Sequence, residues 1–484
     1  PDSPAFQIKR EVDYCSAAAV LCRRTDYLQV LGFDLIYEPA YYEDGDFCMK
    51  IKKLGKKILY QPQSSVYHIE NHTSKDENIG FSFNSLVAIN KLKFVNRWSE
   101  FIASGHPVDK ESAIELKVFE REKTKKPIAV LYSPYNVMPG GGEKYLLTLG
   151  ETLTESYDVY FSTPEKISQL RLLTVGRELN INVRDIMPIA YDQALKLEIA
   201  LFVVMGNEIF PSVPAVGKKN IYHCQFPFAI QPGQENNIKY FNDYDKLIVN
   251  SEFTRSHIYE QMKFFDLPQT PVEILYPPID EIEYSAPRST EDSVHIINVG
   301  RFFTGGHQKR QDVIIEAFKE FVKKNPTKNA KLTLAGAVSS EQSHISYLED
   351  LRKLSLGYDI EFLINPTNRQ ITDIYKSANI YVHATGFGAD EKESPEIFEH
   401  FGITVVEAAL HNNYVFAYNG GGPKEILQSF PAIGQTYQNV EELVKLLENW
   451  NVNTKNSISS STHLKILHQF SKQRFNQTLL SYVN

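Results

Sequence analysis

From residue 128 onward the chain alternates short apolar runs with longer, helix-length segments, and it does so in two successive series. The runs of the first series fall at 128–132, 158–161, 199–204, 220–223, 246–250 and 274–278. Those of the second fall at 295–299, 331–335, 360–363, 380–382 and 414–417. Short continuous apolar runs separated in this way read as strands of βα units, whose parallel sheets are covered by helices on both faces. The pattern predicts an α/β protein with two doubly wound, Rossmann-like sheets in tandem, facing each other across a cleft. Ligands of such sheets bind at the carboxyl ends of the strands, so the loops that follow those ends are where chemistry is to be sought.

At 484 residues the chain has room for two or three domains, and 42% hydrophobic residues with 12% aromatics supply ordinary cores. A balance of 51 basic against 59 acidic residues, net −8, argues against a general nucleic-acid binder. Without a run of about 18 apolar residues or a leader pattern, a cytoplasmic chain is expected, at most touching the inner face of a membrane. Cys15, Cys22, Cys48 and Cys224 form no CxxC pair and no zinc spacing; reduced, mostly buried thiols are expected, without redox chemistry. The charged, proline-marked stretch at 117–127 marks a boundary. The expected division is a front segment with a linker helix at 1–122, sheet units at 123–285 and 286–465, and a closing helix at 466–484.

Four motifs carry candidate chemistry. Phe398-Glu399-His400-Phe401-Gly402-Ile403-Thr404-Val405-Val406-Glu407 sets two carboxylates eight residues apart around a glycine that opens an apolar helical run. Glycine lets the backbone approach a ligand, and the free amides of a first helical turn attract phosphate oxygens. After the 295–299 run comes a glycine-rich loop holding Arg301 and Lys309. There a guanidinium can fork onto two phosphate oxygens and an ammonium can act as a compact point charge. Gly140-Gly141-Gly142-Glu143-Lys144-Tyr145 follows the first strand, but Tyr145 stands where a dinucleotide fingerprint needs glycine. His223, after the 220–223 run, serves either packing or a cleft-facing function, and Asn250-Ser251-Glu252-Phe253-Thr254 is a further strand-end motif.

The stretch from His383-Ala384-Thr385-Gly386-Phe387-Gly388 through the Glu399–Glu407 pair to Asn419-Gly420-Gly421-Gly422-Pro423-Lys424-Glu425-Ile426 resembles the donor site of glycosyltransferase family 4. That resemblance implies the GT-B fold and a retaining transfer of a sugar from a nucleotide-diphosphate donor. It implies no metal or other cofactor in this site. The acceptor would be a glycan or lipid-linked glycan of a growing surface polysaccharide or glycoconjugate. Peripheral contact with a membrane or a polysaccharide assembly complex would follow, and no nucleic acid is expected. By the same resemblance Glu399 lies beside the donor sugar and its reacting face, Glu407 on the ribose, and Arg301 and Lys309 on the diphosphate. The amides of Gly402, Ile403 and Thr404 complete the phosphate cradle. Gly141 and Gly142 admit phosphate or acceptor, His223 stands near the reacting sugar, and the closing helix crosses back to the first sheet unit. Two alternatives are weaker. A nucleotide-sugar epimerase of the same fold would lack the Glu-x7-Glu run with Phe-Gly-Ile, and a non-catalytic glycan-binding scaffold would not need all four charged residues.

Residues 11–72 resemble the acceptor half of a glycosyltransferase family 2 domain, of GT-A fold, through Val12-Asp13-Tyr14-Cys15-Ser16, Leu31-Gly32-Phe33-Asp34, Tyr41-Tyr42-Glu43-Asp44-Gly45-Asp46 and Val66-Tyr67-His68. This implies that Glu43 and Asp44 correspond to the pair supplying the acceptor base, with His68 near a metal–diphosphate site. The Asp-x-Asp half that should precede them is missing from this sequence. No family 2 activity is therefore expected, and the segment reads as part of a longer bifunctional enzyme or as a structural appendage.

Overall fold

A computed structural model describes residues 9–61, 64, 83–105, 126–138, 140–230, 235–284, 293–339, 341–450 and 458–483. Most of the charged 117–127 stretch, the boundaries set near 122 and 285, and the Val66-Tyr67-His68 motif lie outside these residues.

The front segment pairs β1 (Arg10–Val12) antiparallel with β2 (Ile58–Tyr60). Its core is Phe47, Met49, Ile58, Trp98 and Phe101, contributed largely by α1 (Glu43–Lys53) and the long α2 (Phe83–Ala103). Among its described residues there is no larger sheet, so the fold gives no support to the GT-A likeness. The thiols depart in part from expectation: Cys48 is buried, but Cys22 is exposed, and Cys15 Sγ lies 3.9 Å from Cys48 Sγ.

The first sheet unit contains β3 (Ile128–Tyr132), β4 (Asp158–Thr163), β5 (Ile186–Ala190), β6 (Ile199–Glu208), β7 (Lys219–Phe228), β8 (Lys246–Val249) and β9 (Val272–Ile274), all parallel in the order β5-β4-β3-β6-β7-β8-β9. Its central strands are buried on both faces, from Ala129 to Leu131 and from Leu201 to Met205. That is why they read as unbroken apolar runs. Strand β5 escaped the sequence reading because Pro188 interrupts it; only an edge strand tolerates that loss of a backbone donor. The strand expected at 274–278 stops at Ile274, before Pro277 and Pro278. Helices α3 (Gly141–Leu153), α4 (Gln169–Glu178) and α5 (Glu252–Phe264) cover this sheet.

The second unit orders β10 (Ser293–Val299), β11 (Asn329–Gly336), β12 (Ile360–Ile364), β13 (Ile380–His383), β14 (Tyr414–Tyr418) and β15 (Gly434–Tyr437) as β12-β11-β10-β13-β14-β15, again all parallel. The short, polar edge strand β15 was not anticipated. Helix α6 (Gln311–Lys324) buries Val313, Ile314, Ala317, Phe318 and Phe321 on one face, with Asp312 in its first turn and Lys323 and Lys324 in its last, the signs its dipole favours. Helices α7 (Ile403–Leu410) and α8 (Gly421–Ser429) flank the strand ends.

The closing helix is two helices, α9 (Ser460–Phe470) and α10 (Lys472–Val483), which meet at Ser471 beside Ile279. Phe475, Leu479 and Val483 of α10 lie in the core of the first unit, with the Tyr482 hydroxyl donating to the Ile274 carbonyl at 2.9 Å. Helix α10 thus packs in the first unit, although the chain reaches it only after the second sheet.

The front segment touches both units. On one side Asp34 accepts from Arg177 of α4 at 2.6 Å, and Leu35 packs against the first unit's core. On the other, Ile89 of α2 is part of the second unit's core and the Asn96 amide donates to the Ile364 carbonyl at 3.0 Å. Asp34 and Asp46 are buried and share Arg97 at 2.7 and 3.0 Å, while Lys50 lies 3.2 Å from Asp46. Burial pushes the Asp34 carboxyl up, but Arg97, Lys50 and Arg177 outweigh it and hold the group below the usual carboxylate range.

Candidate active site

The second sheet reverses its order between β10 and β13, and the ends of those two strands deliver the charged residues. Strand β10 runs into Gly300 and Arg301. Gly336, at the end of β11, passes so close that a Cβ there would lie 1.9 Å from the Gly300 carbonyl oxygen. Buried Gln311 donates to the carbonyls of Gly300 and Arg301 at 3.3 and 3.2 Å, fixing the loop against the start of α6. That loop returns Lys309 to the cleft.

Lys309 Nζ lies 2.5 Å from Glu399 Oε2, and His383 Nε2, at the end of β13, lies 3.5 Å from the same oxygen. Burial pushes the Glu399 carboxyl up, but Lys309, His383 and His307 outweigh it and keep it well below the usual range. The carboxylate is therefore ionised and already paired. The backbone of Glu399 is held from behind: the Gly422 amide donates to its carbonyl at 2.8 Å, and a Cβ on Gly421, whose φ is +64°, would come within 2.4 Å of that oxygen.

Helix α7 opens at Gly402, φ +103°, a left-handed conformation that disfavours any other residue. Gly402, Ile403 and Thr404 thus supply the amides of a first turn, and the Thr404 hydroxyl accepts from Tyr381 at 2.7 Å. Glu407 lies one turn on and accepts from the Tyr375 hydroxyl at 3.2 Å. Burial raises its pKa, opposed by Lys144 of the first unit and by Tyr375.

Aromatic rings carry the contact between the units beside this pair. Phe226 of β7 stacks on His400 with centroids 3.9 Å apart, and Phe228 meets it edge-on at 5.5 Å. His400 Nε2 is 2.9 Å from His307 Nε2. Burial lowers the pKa of His307 to about 4 and takes that of His400 down as well, so both rings are neutral at pH 7. A second tie runs through Glu425, which accepts from the Tyr276 hydroxyl at 2.8 Å and from the Phe253 amide at 3.1 Å.

Not every expected residue joins the cleft. His223 is 1% exposed, stacks on Tyr145 at 4.0 Å and turns Nδ1 to the Ile248 carbonyl at 3.2 Å. Packing, not a cleft-facing role, is what its surroundings provide, and burial lowers its pKa to about 4. The two glycines before α3 divide as well. A Cβ on Gly142 would lie 2.6 Å from Gln225 Oε1, so the Gln225 amide already fills the space expected for a ligand, whereas a Cβ on Gly141 would meet nothing within 4 Å. Arg301 is exposed, its guanidinium 5.0 Å from the Phe303 ring, and it stands apart from the Lys309–Glu399 pair while its charge still acts on His307. In the Asn250–Thr254 motif, Ser251 caps α5 by accepting from the Thr254 amide at 3.0 Å. His307, His383, His400 and Glu425 were given no individual role from the sequence. They lie in or beside the motifs named above, but their partners come from distant parts of the chain.

Residues 281–458 match the family model described as Glycosyl transferases group 1. Among curated proteins the chain is 28% identical over 190 residues to the GDP-Man:Man(3)GlcNAc(2)-PP-Dol alpha-1,2-mannosyltransferase of Xenopus laevis, over 37% of this chain and 35% of that one. It is 24% identical over 256 residues to the Alpha-1,3/1,6-mannosyltransferase ALG2 of Candida glabrata, over 46% and 55%. The chain thus spans about a third to about half the length of these curated relatives. Among solved structures, Anabaena Alr3699/HepE in complex with UDP and glucose superposes with a TM-score of 0.52 at 14% identity, covering 73% of this chain and 99% of that one. Sucrose-phosphate synthase from Thermosynechococcus elongatus superposes with a TM-score of 0.50 at 14% identity, covering 74% and 98%. The fold is GT-B-like, and the match to the group 1 glycosyltransferase model lies on residues 281–458, which hold the second sheet.

Proposed function

We propose that the chain is a retaining glycosyltransferase that moves a sugar from a nucleotide-diphosphate donor to a glycan or lipid-linked glycan acceptor during assembly of a surface polysaccharide or glycoconjugate. One observation carries the reading: Lys309 and the ionised Glu399 converge at the switch point of the second sheet, beside the amides at the start of α7. Leaving-group charge then meets a fixed ammonium and first-turn N–H groups in a site partly closed to water. The donor diphosphate takes over Lys309 from Glu399. The released carboxylate turns to the hydroxyls of the sugar, and Glu407 to the ribose. Arg301, exposed on the β10 loop beside Phe303, leaves the diphosphate to Lys309 and the first-turn amides. Closure of the two units along the Phe226–His400 seam expels water, so that the acceptor and not solvent receives the sugar.

GDP-mannose, the donor named for one mannosyltransferase relative, is the first to try, and UDP-glucose the second, since a protein of the same fold holds UDP and glucose. The front segment takes no part in this proposal through its family 2 likeness, which neither its two-stranded sheet nor any of the matches supports. There Glu43 carries a buried carboxyl oxygen without a hydrogen-bond partner, its pKa raised by burial, next to Asp44, which accepts from Tyr14 at 2.8 Å. Incubating the chain with UDP-, GDP- and dTDP-sugars, with and without glycan acceptors, tests the reading. Transfer with the anomeric configuration kept, followed by NMR, is expected. Release of an epimerised nucleotide sugar without acceptor, or no turnover of any donor, would overturn it.

A further inference from the structure

Between α2 of the front segment and the β10 loop lies a chamber of about 910 Å³, walled by all three parts of the molecule. Three carboxylates line it, and each faces a basic group. Glu38 meets Arg171, Glu178 meets Arg177 at 3.0 Å, and Glu341 meets His344 Nε2 at 3.6 Å. Arg97, also on the wall, is claimed by Asp34 and Asp46. Two cations are left over. The Arg301 guanidinium lies 5.0 Å from the Phe303 ring, and Lys93 donates to the Ile36 carbonyl at 2.6 Å and to the Asn90 side-chain oxygen at 2.9 Å. Among the described residues neither makes an ion pair. An ammonium has three protons to donate, so Lys93 keeps one for the chamber.

A half-buried ammonium with neutral acceptors alone is costly, and an anion entering the chamber would remove that cost. Burial indeed pushes Lys93 down to about 8. Arg301 borders both spaces, lining the chamber while acting on His307 next to Glu399. A ligand held by both cations would therefore lie beside the reacting face of the donor.

We propose that this chamber is an acceptor subsite for a sugar bearing a phosphate or carboxylate group, with Lys93 of the front segment and Arg301 of the donor unit as its paired cations. This deepens the transferase reading and rests on it for the word acceptor. The front segment then becomes one wall of the substrate site, which gives it a use in this chain independent of any chemistry of its own.

Calorimetric titration of the full chain with glucose 6-phosphate, glucuronate and neutral glucose tests the assignment. The two anionic sugars are expected to bind at least tenfold more tightly than glucose. That preference should vanish in Lys93→Gln, return in Lys93→Arg, and survive both Lys309→Ala and saturating UDP or GDP. Footprinting of the native chain gives a second measurement that does not depend on any variant folding: acetylation of Lys93 by an N-hydroxysuccinimide ester should be slowed by glucose 6-phosphate and not by glucose. Equal binding by Lys93→Gln, loss of binding in Lys309→Ala, or displacement by UDP and GDP would place the anion elsewhere and sink the proposal. Inorganic phosphate binding as tightly as glucose 6-phosphate would also overturn it, since a plain anion site would need no sugar. Donor hydrolysis by the same preparation requires no chamber ligand, so it judges the transferase reading separately.

Discussion

Lys309 and Glu399 neutralise one another at 2.5 Å, and that contact sets what each substitution should do. In the proposed reaction Lys309→Ala takes away a fixed charge aimed at the leaving diphosphate, and it also strands a half-buried carboxylate. A loss of about 3 kcal/mol of transition-state stabilisation, roughly a hundredfold in kcat, is expected. Steady-state kinetics with the best donor checks this, and an undiminished kcat would remove Lys309 from the mechanism. The buried histidines make a different prediction. His307 and His223 titrate near 4 in the folded chain against an ordinary 6.5, so the unfolded chain binds more protons between those values. Stability is therefore full above pH 6.5 and falls as the pH drops toward 4, by up to about 3 kcal/mol per ring. Urea unfolding at pH 7.5, 6 and 4.5 should show the decline, and His307→Gln should make it shallower. Glu399 and the helix entry at Gly402 were legible in the sequence because their spacing is local, and Lys309 stood out in its own glycine-rich loop, but the 2.5 Å contact between Lys309 and Glu399 joins positions 90 residues apart. The outcome for His223 was not, since only the stacked Tyr145, 78 positions earlier in the chain, decides between cleft and core.

At the scale of elements, glycines test which backbone contacts matter. Gly421→Ala forces an L residue into φ +64° and drives its Cβ onto the Glu399 carbonyl oxygen. A cost of about 1–2 kcal/mol from the backbone alone is expected, with kcat falling because the carboxylate itself is displaced. Thermal unfolding and kinetics measured together would separate the two, and an unaltered Tm and kcat would show that the contact is dispensable. Gly141→Ala projects into open space, so its Tm should hold while KM rises, if donor or acceptor passes there. A KM equal to that of the parent chain would rule out that passage. The central strands were readable for a physical reason: burial on both faces leaves no polar position to break the run. The edges β5 and β15 were not, since an edge strand admits Pro188 in one case and polar residues in the other. The kink at Ser471 was hidden for a similar reason, because both helices keep an apolar stripe and only the backbone contact with Ile279 interrupts them.

For the whole molecule, the front segment works as a clasp, pinned to one unit through Asp34 and Arg177 and to the other through Ile89 and Asn96. Asp34→Ala removes one of the two buried carboxylates that face Arg97 and Lys50, and leaves Arg177 with Glu178 alone. A destabilisation of about 3–5 kcal/mol is expected, felt first as separate melting of the front segment in a urea titration followed by the fluorescence of Trp98. A single transition at the parent midpoint would show that the clasp is not held there. No helix among the described residues is long and apolar enough to cross a membrane.

The return of α10 into the first unit has a consequence in time. Phe475, Leu479 and Val483 finish a core whose other walls, from Ala129 to Leu275, leave the ribosome roughly 200 residues earlier, a delay of about 10–40 s at 5–20 residues per second. During that interval the sheet that was made first stands with an apolar groove open. The second unit waits as well, since its core takes Ile466 and Phe470 from α9, so both cores are finished only as the last two helices emerge.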